Sequence, residues 1–478
     1  MFMRMVYDEK LAQAAYLFGC QKTGEAIVFD PERDVDRYLA LAKAEELRIT
    51  AVAETHVHAD FLSGARELAE RVGARVYASG EGGADWTPRW LDGKTGGGSY
   101  EHRLLKDGDR FGIGAIEFTA IHTPGHTPEH VCFLVTDRGG GADTPMGVLT
   151  GDFVFVGDVG RPDLLESAAG HAGSARPAAR DLFRSLRRFA ALPEFIQVWP
   201  AHGAGSACGK ALGAVPQSTV GYEKRFNPAL REAGDERGFV DFVLAGQPEP
   251  PAYFARMKRQ NRDGPAVLGA PPSPRSLSRS ELASLDTRRV ALIDTRSWKA
   301  FLAGHVPGSL YLPLNTSFTT DAGSFIRDDE DIVLIVEPPR ADEAARALVR
   351  IGLDRVVGCF DPADLEPYRS GGGTLTPSAE IDPAAAHTRL RTGGAVALDV
   401  RRASEFVDGR EPNAVNIAHT RLIAHNADLP RDRPIIVNCR SGGRSARAVA
   451  FLRRAGFDAI NLAGGFTAWE QAGLPVEK

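Results

Sequence analysis

Histidine and aspartate residues recur in this sequence at four places where strand-like runs end. The segment THVHADF follows the apolar run ITAVAE, and HTPGHTPEH, TGDFVF and WPAHGAG follow further along the chain. Together these segments supply His56, His58, Asp60, His122, His126, His130, Asp152 and His202. Neutral imidazoles and a carboxylate are good ligands for zinc or ferrous iron. The four segments therefore predict a metal site assembled from strand ends, against the alternative of scattered structural histidines.

A second group of reactive side chains lies in the segment NCRSGGRS, Asn438–Ser445. This segment follows the strand-like run PIIVN and precedes the helical run SARAVAFLRRAG. A cysteine placed there lies among backbone N–H groups at a helix N-terminus. These groups, together with the positive charges of Arg440 and Arg444, should lower the pKa of Cys439 and favour the thiolate. We therefore predict Cys439 as a catalytic nucleophile. The residues expected to bind its anionic substrate are Arg440, Ser441, Gly442, Gly443 and Arg444.

Three blocks of secondary structure must position these groups. Residues 1–262 mix strand-like runs such as AAYLFGC with helical runs such as VDRYLALAKAEEL, and strands outnumber helices. A Pro- and Gly-rich linker at 263–276 precedes two blocks, 277–372 and 379–478, that repeat the same order of elements. Each repeat has a strand ending in aspartate, a helix, a turn, a second strand, and then strand, loop and helix. This alternation predicts an α/β protein with doubly wound parallel sheets.

The composition excludes several classes of protein. A length of 478 residues suggests about three domains, and 43% hydrophobic with 25% charged residues is typical of globular domains. The formal net charge of -5 argues against a nucleic-acid partner. No apolar run reaches the roughly 20 residues that span a bilayer, and MFMRMVYDEK has no apolar signal-peptide core. Five cysteines without a CxxC pair favour a reducing, cytoplasmic location.

Residues 1–262 resemble the metallo-β-lactamase superfamily, in the glyoxalase II-like branch, whose first motif normally reads THxHxDH. The resemblance implies an αββα sandwich. Phe61 stands where that motif has its last histidine, which binds the second metal in binuclear zinc hydrolases, so a second metal site is compromised. The persulfide dioxygenases are the most similar family, and their single iron site corresponds here to His56, His126 and Asp152. The resemblance therefore implies one Fe(II) per chain, with zinc as the alternative.

The same resemblance suggests roles for the other histidines and for one aspartate. His58, Asp60 and His202 match further metal positions of the superfamily. Around a single iron we expect these three residues to orient the ligands or water rather than to bind the metal. We expect His122 and His130 to support the site.

Two further residues are candidate substrate contacts. The segment GRPDL resembles GRTDF of the persulfide dioxygenases, so Arg161 is predicted to bind substrate, with a structural ion pair as the alternative. Cys208 lies six residues after His202. Its thiol is predicted to carry or exchange sulfane sulfur, with a small buried cysteine as the alternative.

Residues 379–478 resemble the rhodanese family in NCRSGGRS, in Asp399-Val400-Arg401 and in the terminal GGFTAWEQAGLPV. The spacing Cys439-x4-Arg444 is that of sulfurtransferases, whereas the related phosphatases have a loop one residue longer. The resemblance implies that a persulfide forms on Cys439. One departure is the turn GREPNA at 409–414, where the family reads GHIPGA, so the rim of the pocket is expected to differ.

Residues 277–372 resemble the same family but lack its cysteine loop. The corresponding segment reads IVEPPRADEAAR, with Glu337 near the position of the cysteine. Pro338 and Pro339 also remove N–H donors from the loop. We therefore predict an inactive rhodanese-like domain that acts as a spacer or docking surface.

Over the whole chain, the resemblance implies a fusion of an iron persulfide dioxygenase with a rhodanese. It would oxidise a low-molecular-weight thiol persulfide with dioxygen to sulfite and thiol, and sulfur transfer to sulfite would give thiosulfate, a route of sulfide detoxification. The alternatives are a zinc-dependent glyoxalase II-like thioester hydrolase fused to a sulfurtransferase, a sulfurtransferase with a structural metal domain, and a non-catalytic sulfide-sensing scaffold. The sequence leaves open the thiol carrier (glutathione, coenzyme A or another), the direction of the rhodanese reaction and a homo-oligomeric state. We expect no nucleic-acid or membrane partner.

Overall fold

The computed structural model describes residues 1–168, 170–210 and 212–478, which form two compact units. The first unit comprises Met1–Pro271 and Arg350–Gly352, and the second comprises Pro272–Val349 and Leu353–Lys478. Among the described residues, no helix has the length and apolar character needed to cross a membrane.

The first sheet of the first unit has six strands. They are β1 (Phe2–Asp8), β2 (Gln13–Cys20), β3 (Glu25–Phe29), β4 (Arg48–Ala53), β5 (Arg75–Ser79) and β6 (His102–Leu105), and they lie side by side in chain order. Strands β1 to β3 pair antiparallel, and β3 to β6 pair parallel. Strand β2 is buried on both faces. Its side chains alternate between the two faces of the sheet, and each face packs against its own apolar cluster. Tyr16 and Phe18 face one apolar cluster, and Ala15 and Leu17 face another.

The second sheet also has six strands, and a short hairpin lies beside it. The strands are β7 (Arg110–Ile113), β8 (Ile116–His122), β9 (Val131–Asp137), β10 (Gly147–Gly151), the hairpin β11 (Val154–Phe155) and β12 (Asp158–Val159), then β13 (Gln197–Pro200) and β14 (Ser218–Thr219). The order across the sheet is β14-β13-β10-β9-β8-β7. Strand β10 is antiparallel to β9 and parallel to β13. The carboxyl ends of β10 and β13 therefore lie side by side, and the segments that follow them leave the sheet at the same end.

Eight α-helices and two 3₁₀ helices complete the described part of this unit. The α-helices are α1 (Asp36–Ala44), α2 (Ala65–Val72), α3 (Leu164–Ser167), α4 (Ala175–Ala190), α5 (Val220–Phe226), α6 (Pro228–Glu232), α7 (Glu236–Leu244) and α8 (Phe254–Asp263), and the 3₁₀ helices are Arg89–Asp92 and Arg138–Gly140. Aromatic side chains of both sheets, such as Phe18 and Phe118, pack between them. Helices α1 and α2 cover the outer face of the first sheet, and α4 and α7 cover the second. This arrangement is the predicted αββα sandwich.

The second unit contains two copies of a five-stranded parallel sheet. The first copy consists of β15 (Arg275–Ser276), α9 (Arg279–Ala283), β16 (Val290–Asp294), α10 (Trp298–Ala303), β17 (Leu310–Tyr311), α11 (Phe318–Phe325), β18 (Asp331–Ile335), α12 (Ala341–Val349), β19 (Val356–Phe360) and α13 (Leu365–Ser370), with 3₁₀ helices at Pro338–Arg340 and Pro362–Asp364. Its strands lie in the order β15-β19-β18-β16-β17. Strand β15 lies at the end of the segment predicted as a linker.

The second copy repeats this topology. It consists of β20 (Glu380–Ile381), α14 (Pro383–Arg391), β21 (Val396–Asp399), α15 (Ala403–Asp408), β22 (Val415–Asn416), α16 (Leu422–His425), β23 (Ile435–Asn438), α17 (Gly443–Arg454), β24 (Ala459–Leu462) and α18 (Gly465–Gln471), with 3₁₀ helices at His419–Arg421 and Asn426–Asp428. The order β20-β24-β23-β21-β22 matches that of the first copy strand for strand. The predicted fold class is confirmed: an αββα sandwich followed by two doubly wound parallel sheets.

Candidate metal centre and cysteine loop

The ends of strands from both sheets bring the histidines and aspartates of the first unit together. His56 follows β4, Asp152 follows β10, His202 follows β13, and His126 lies in the loop between β8 and β9. The close approach of these segments requires a glycine at residue 151. A Cβ there would lie 2.6 Å from Thr55 Oγ1 and 2.7 Å from His130 Nε2, and its φ of +50° is left-handed.

Three of the predicted residues form a compact group that could hold a metal ion. His56, His126 and Asp152 each offer a ligand atom, and these atoms lie within 4.8 Å of one another. Oδ2 of Asp152 is 3.8 Å from Nε2 of His56 and 3.4 Å from Nε2 of His126. All three side chains are buried.

The imidazoles are held through one nitrogen and leave the other turned toward the centre of the group. Nδ1 of His56 is 2.9 Å from Thr55 Oγ1, Nδ1 of His126 is 3.1 Å from the Arg161 carbonyl, and Nδ1 of His202 is 3.0 Å from the Ala12 carbonyl. By contrast, Nε2 of His56 and both Asp152 oxygens are buried without a hydrogen-bond partner. Buried polar atoms are normally paired, so these orphaned atoms fit a bound cation.

The charge states of this group also fit a metal site. Burial lowers the pKa of His56 well below its usual value and that of His126 to about 4, so both imidazoles are neutral. Burial alone would raise the pKa of Asp152, but His202 and His56 lower it well below its usual value. Neutral imidazoles beside an ionised carboxylate are the protonation states that metal ligation requires.

A second group lies on the other side of Asp152. Asp60, His202 and Cys208 offer ligand atoms within 4.8 Å of one another. Nε2 of His202 is 3.3 Å from Asp152 Oδ1 and 3.4 Å from Asp60 Oδ2. Cys208 is buried, and burial raises the pKa of its thiol. Asp60 and His202 thus lie beside the first group, and the Cys208 thiol, predicted from its position six residues after His202, lies with them.

His58 lies apart from both groups, in contact with two carboxylates. Its Nε2 is 2.9 Å from Glu54 Oε2 and 3.2 Å from Asp30 Oδ1. Burial alone would lower the pKa of His58, but Asp30 and Glu54 raise it well above its usual value. The Phe61 ring packs against the His58 imidazole with centroids 4.4 Å apart, and a hydrocarbon therefore fills the position of the missing histidine.

The remaining predicted residues contact the backbone or a neighbouring charge. His130 Nε2 accepts a hydrogen bond from the Asp152 backbone N–H at 3.1 Å, which fixes the backbone of that aspartate. The ring of His122 bonds the Pro128 carbonyl at 2.7 Å. The Arg161 guanidinium makes two hydrogen bonds to Asp163, of 2.9 and 2.6 Å, as the structural ion-pair alternative requires. Its contact with a substrate stays a prediction.

A small cavity of about 30 Å³ borders the first group. Its walls include His56 and His58 together with Glu129 and two aromatic residues, Trp86 and Trp90. A space of this volume holds about one water molecule, and its walls are mostly apolar with a few polar groups.

The predicted cysteine loop connects β23 to α17. Cys439 is buried, and Ser445 Oγ donates to its Sγ at 3.4 Å. Gly442 has a left-handed φ of +94° and leads directly into the helix. The Arg444 guanidinium donates two hydrogen bonds to Glu405, of 2.7 and 2.8 Å, so its charge is shared with a carboxylate. Arg440, Ser441 and Gly443 are exposed around the loop.

A glycine that the sequence interpretation did not single out closes the cysteine loop. A Cβ on Gly465 would contact the Cys439 carbonyl oxygen and would lie 2.8 Å from Gly442 N and 2.9 Å from Ser441 N. The next residue, Phe466, donates its N–H to that carbonyl at 2.7 Å. The start of α18 therefore lies directly against the loop. The two adjacent glycines of AGGF were the available signal.

In the corresponding loop of the first copy, Glu337 lies one residue after the position of Cys439. Asp294 pairs with Ile335 as Asp399 pairs with Asn438, so Val336, and not Glu337, occupies the position of Cys439. The next residues turn into the 3₁₀ helix Pro338–Arg340 in place of an open loop.

Family models match both units of the chain. The model described as the metallo-β-lactamase superfamily matches residues 9–202, and the model described as the rhodanese-like domain matches residues 279–361 and 382–472. The two rhodanese matches coincide with the two parallel sheets.

Individual relatives agree with these matches. A probable metallo-hydrolase of Burkholderia pseudomallei is 30% identical over 257 residues, which are 49% of this chain and 82% of that protein. A sulfurtransferase of Allochromatium vinosum is 34% identical over 99 residues, 20% of this chain and 92% of that protein. The crystal structure of a metallo-β-lactamase from Staphylococcus aureus is 40% identical, covers 76% of this chain and 99% of its own, and has a TM-score of 0.68.

Proposed function

Because the chain belongs to the metallo-β-lactamase superfamily and carries two rhodanese-like domains, we propose that it is a non-haem iron persulfide dioxygenase coupled to a sulfurtransferase. The first activity oxidises a low-molecular-weight thiol persulfide: RSSH + O₂ + H₂O gives RSH, sulfite and two protons. The second transfers a sulfane sulfur from a persulfide to sulfite and forms thiosulfate.

The observation that carries the first activity is the group His56, His126 and Asp152, with its orphaned, inward-facing atoms. These residues would hold one ferrous iron, which supplies open coordination positions and a redox partner for dioxygen. Phe61, which replaces a ligand of the second metal, supports a single iron over a binuclear zinc hydrolase.

The protein groups around this site bind and orient. His130 fixes Asp152 through its backbone N–H, and the Arg161 carbonyl fixes the His126 ring. The carrier part of a thiol persulfide would lie on the side of the cavity beside His56, where Trp86 and Trp90 form part of the wall. Cys208, buried beside His202, remains the candidate thiol for exchange of sulfane sulfur.

Cys439 carries the second activity. Its thiolate attacks the outer sulfur of a persulfide, the S–S bond breaks, and the carrier leaves as RSH with the proton. Sulfite then attacks the outer sulfur of the Cys439 persulfide, and thiosulfate leaves as the thiolate is restored. The loop N–H groups of Ser441 and Gly442, at the start of α17, stabilise the anions in both steps.

Metal analysis of anaerobically purified protein, combined with oxygen uptake on several persulfides, tests the first activity. We expect one iron per chain, and we expect Asp152→Ala to lose the iron and to lower oxygen uptake by about 100-fold or more. The matched control is His122→Ala, because the His122 ring bonds the Pro128 carbonyl and is not one of the proposed ligands. We expect this variant to retain both the iron and the oxygen uptake. Two zinc ions per chain with rapid thioester hydrolysis would contradict the proposal.

Cys439→Ser tests the second activity, because a serine cannot carry a persulfide. We expect this variant to lose thiosulfate-to-cyanide sulfur transfer and to keep sulfite production from a supplied persulfide. Cys359→Ser, on β19 of the first copy, is the matched control and should keep both activities. If Cys439→Ser also lost most oxygen uptake at saturating persulfide, the two activities would not be separate.

A further inference from the structure

Helix α17, which begins at the cysteine loop, packs one face against the first rhodanese copy. The residues on that face recur with helical spacing: Ala446, Arg447, Ala450, Phe451 and Arg454. Ala446 and Ala450 join an apolar cluster with Phe301 and Tyr311 of the first copy. The Phe451 ring stacks on Phe325 of α11 with centroids 5.1 Å apart. The catalytic helix is therefore held by the copy that lacks the cysteine.

A charged contact lies at the end of this face nearest the cysteine loop. Asp321 of α11 is buried, and its Oδ2 is 2.7 Å from Nε of Arg447. Ser317 Oγ bonds both partners, at 2.8 Å to Asp321 and 3.1 Å to Arg447. The other carboxylate oxygen lies 3.3 Å from Nε2 of His419, in the second copy. One carboxylate thus contacts both an arginine and a histidine of the second copy.

The position of Arg447 connects this contact to the cysteine loop. Its Nη1 lies 3.7 Å from the place of a Cβ on Gly443, the first residue of α17. The guanidinium therefore lies beside the helix N-terminus, where anions bind. A buried arginine keeps such a position only if a carboxylate fixes it, because an unpaired buried charge is strongly unfavourable.

We propose that Asp321 is a positioning residue for sulfur transfer at Cys439, acting through Arg447. The first rhodanese copy is then more than a spacer, since it supplies the carboxylate that sets the positive charge next to the anion-binding loop. This inference rests on the proposed sulfurtransferase activity. It concerns a different copy from the one that carries the nucleophile.

The same helix offers a matched control at its other end. Arg454 donates to Glu330 of the first copy, at 2.5 Å, and to the Thr287 carbonyl, at 2.8 Å. Seven residues separate Arg447 from Arg454, which is roughly 10 Å along the helix. Both ion pairs join the same two copies, but only the one at Asp321 lies near the loop.

The experiment compares Asp321→Asn with Glu330→Gln in the full chain, by steady-state thiosulfate-to-cyanide transfer and by thermal melting. We expect both substitutions to lower the melting temperature to a similar extent. Asp321→Asn should lower kcat/KM about tenfold, and Glu330→Gln less than about twofold. Ser317→Ala, which removes only the bridging hydroxyl, should lower kcat/KM about threefold. Asp321→Glu, which restores the charge, should recover part of the loss.

The outcomes separate this inference from the proposed function. Absence of transfer in the wild type, or full transfer in Cys439→Ser, would contradict the proposed sulfurtransferase. With those two results as expected, equal kcat/KM losses in Asp321→Asn and Glu330→Gln would show that the interface only stabilises the fold, and would overturn the inference. If Asp321→Asn does not fold, Ser317→Ala decides in its place: an unchanged kcat/KM in that variant would overturn the inference.

Discussion

The two rhodanese copies share a scaffold and differ in the loop after one strand. In each copy an aspartate at the end of a central strand binds the arginine two residues later, and that arginine donates to a glycine carbonyl. The pairs are Asp294–Arg296 with Gly304, at 2.8 Å, and Asp399–Arg401 with Gly409, at 2.6 Å. Because the pair persists in both copies, it belongs to the scaffold and not to the chemistry.

The loops after β18 and β23 carry the difference. The second copy places Cys439 at the strand end, followed by a glycine-rich turn into α17. The first copy places Val336 there, followed by Pro338 and Pro339 in a 3₁₀ helix. Proline has no N–H to donate, so this loop lacks both the cysteine, our proposed nucleophile, and some of the N–H donors. A small number of residues thus separates the loop that we propose for sulfur transfer from a turn without a cysteine.

The copies also differ at one buried position in the turn that precedes the edge strand, β17 in the first copy and β22 in the second. The first copy has Val306 in its apolar cluster, and the second has Glu411, with 1% of its surface exposed and neither oxygen hydrogen-bonded. Burial raises the pKa of Glu411 to about 8. The departure from the family turn therefore puts a neutral acid in the interior of the second copy.

The largest effect that we expect is from Gly465→Ala. The new Cβ would contact the Cys439 carbonyl and crowd the N–H groups of Ser441 and Gly442, at a left-handed φ of +60°. We expect sulfur transfer to fall about 100-fold or more, measured as thiosulfate-to-cyanide kcat/KM. Gly473→Ala is the control, because that residue has φ +66° but no atom within 4 Å of its Cβ position. Equal losses in both variants would show that backbone strain, and not the loop contact, is responsible.

A smaller, pH-dependent effect is expected at Glu411. Its pKa is about 8 in the folded protein and 4.5 in the unfolded chain. The unfolded state therefore releases the proton first as the pH rises. The contribution of Glu411 to the free energy of unfolding is therefore fully present below about pH 4.5. It is lost progressively as the pH rises to about 8. Glu411→Val, which copies Val306, should remove this dependence and stabilise the second copy by a few kcal/mol near pH 9.

Urea unfolding at about pH 5 and about pH 9 checks this expectation. The difference between wild type and Glu411→Val should widen at the higher pH, and Glu411→Gln should behave like the valine variant in its pH dependence. An identical pH dependence in all three proteins would mean that Glu411 ionises without cost, and that the two copies do not differ in this respect.

The fold could be predicted from the sequence because each element carries a local pattern. Strand β2 alternates side chains between two apolar clusters, and both copies repeat the order of strand, helix and turn. Motifs at strand ends predicted a site built from histidines and aspartates, and the resemblance to the persulfide dioxygenases singled out His56, His126 and Asp152. Their role as ligands stays a prediction.

The rest depended on contacts between distant segments. His58 turns toward Asp30, which ends another strand, and no local pattern indicates that pairing. The sequence placed Glu337 near the position of Cys439, but the exact residue, Val336, depends on the pairing of β18 with β16, which the sequence does not specify. The Asp321 contact joins residues 126 positions apart in the chain, counted from Asp321 to Arg447.

The smallest effect is expected from Glu337→Gln, and it tests whether the first copy takes part in catalysis through its own loop. Glu337 is exposed and precedes a 3₁₀ helix in which two prolines offer no N–H groups. A side chain in that position neither binds an anion nor holds sulfur. We therefore expect both oxygen uptake and sulfur transfer to stay within about twofold of wild type, less than ~0.5 kcal/mol in barrier terms. A large loss from this substitution alone would show that the loop of the first copy contributes to the reaction, and the contrast between the two loops would have to be abandoned. The Asp321→Asn variant gives the scale for that judgement, since it changes a charge in the same copy that contacts α17, the helix after the cysteine loop.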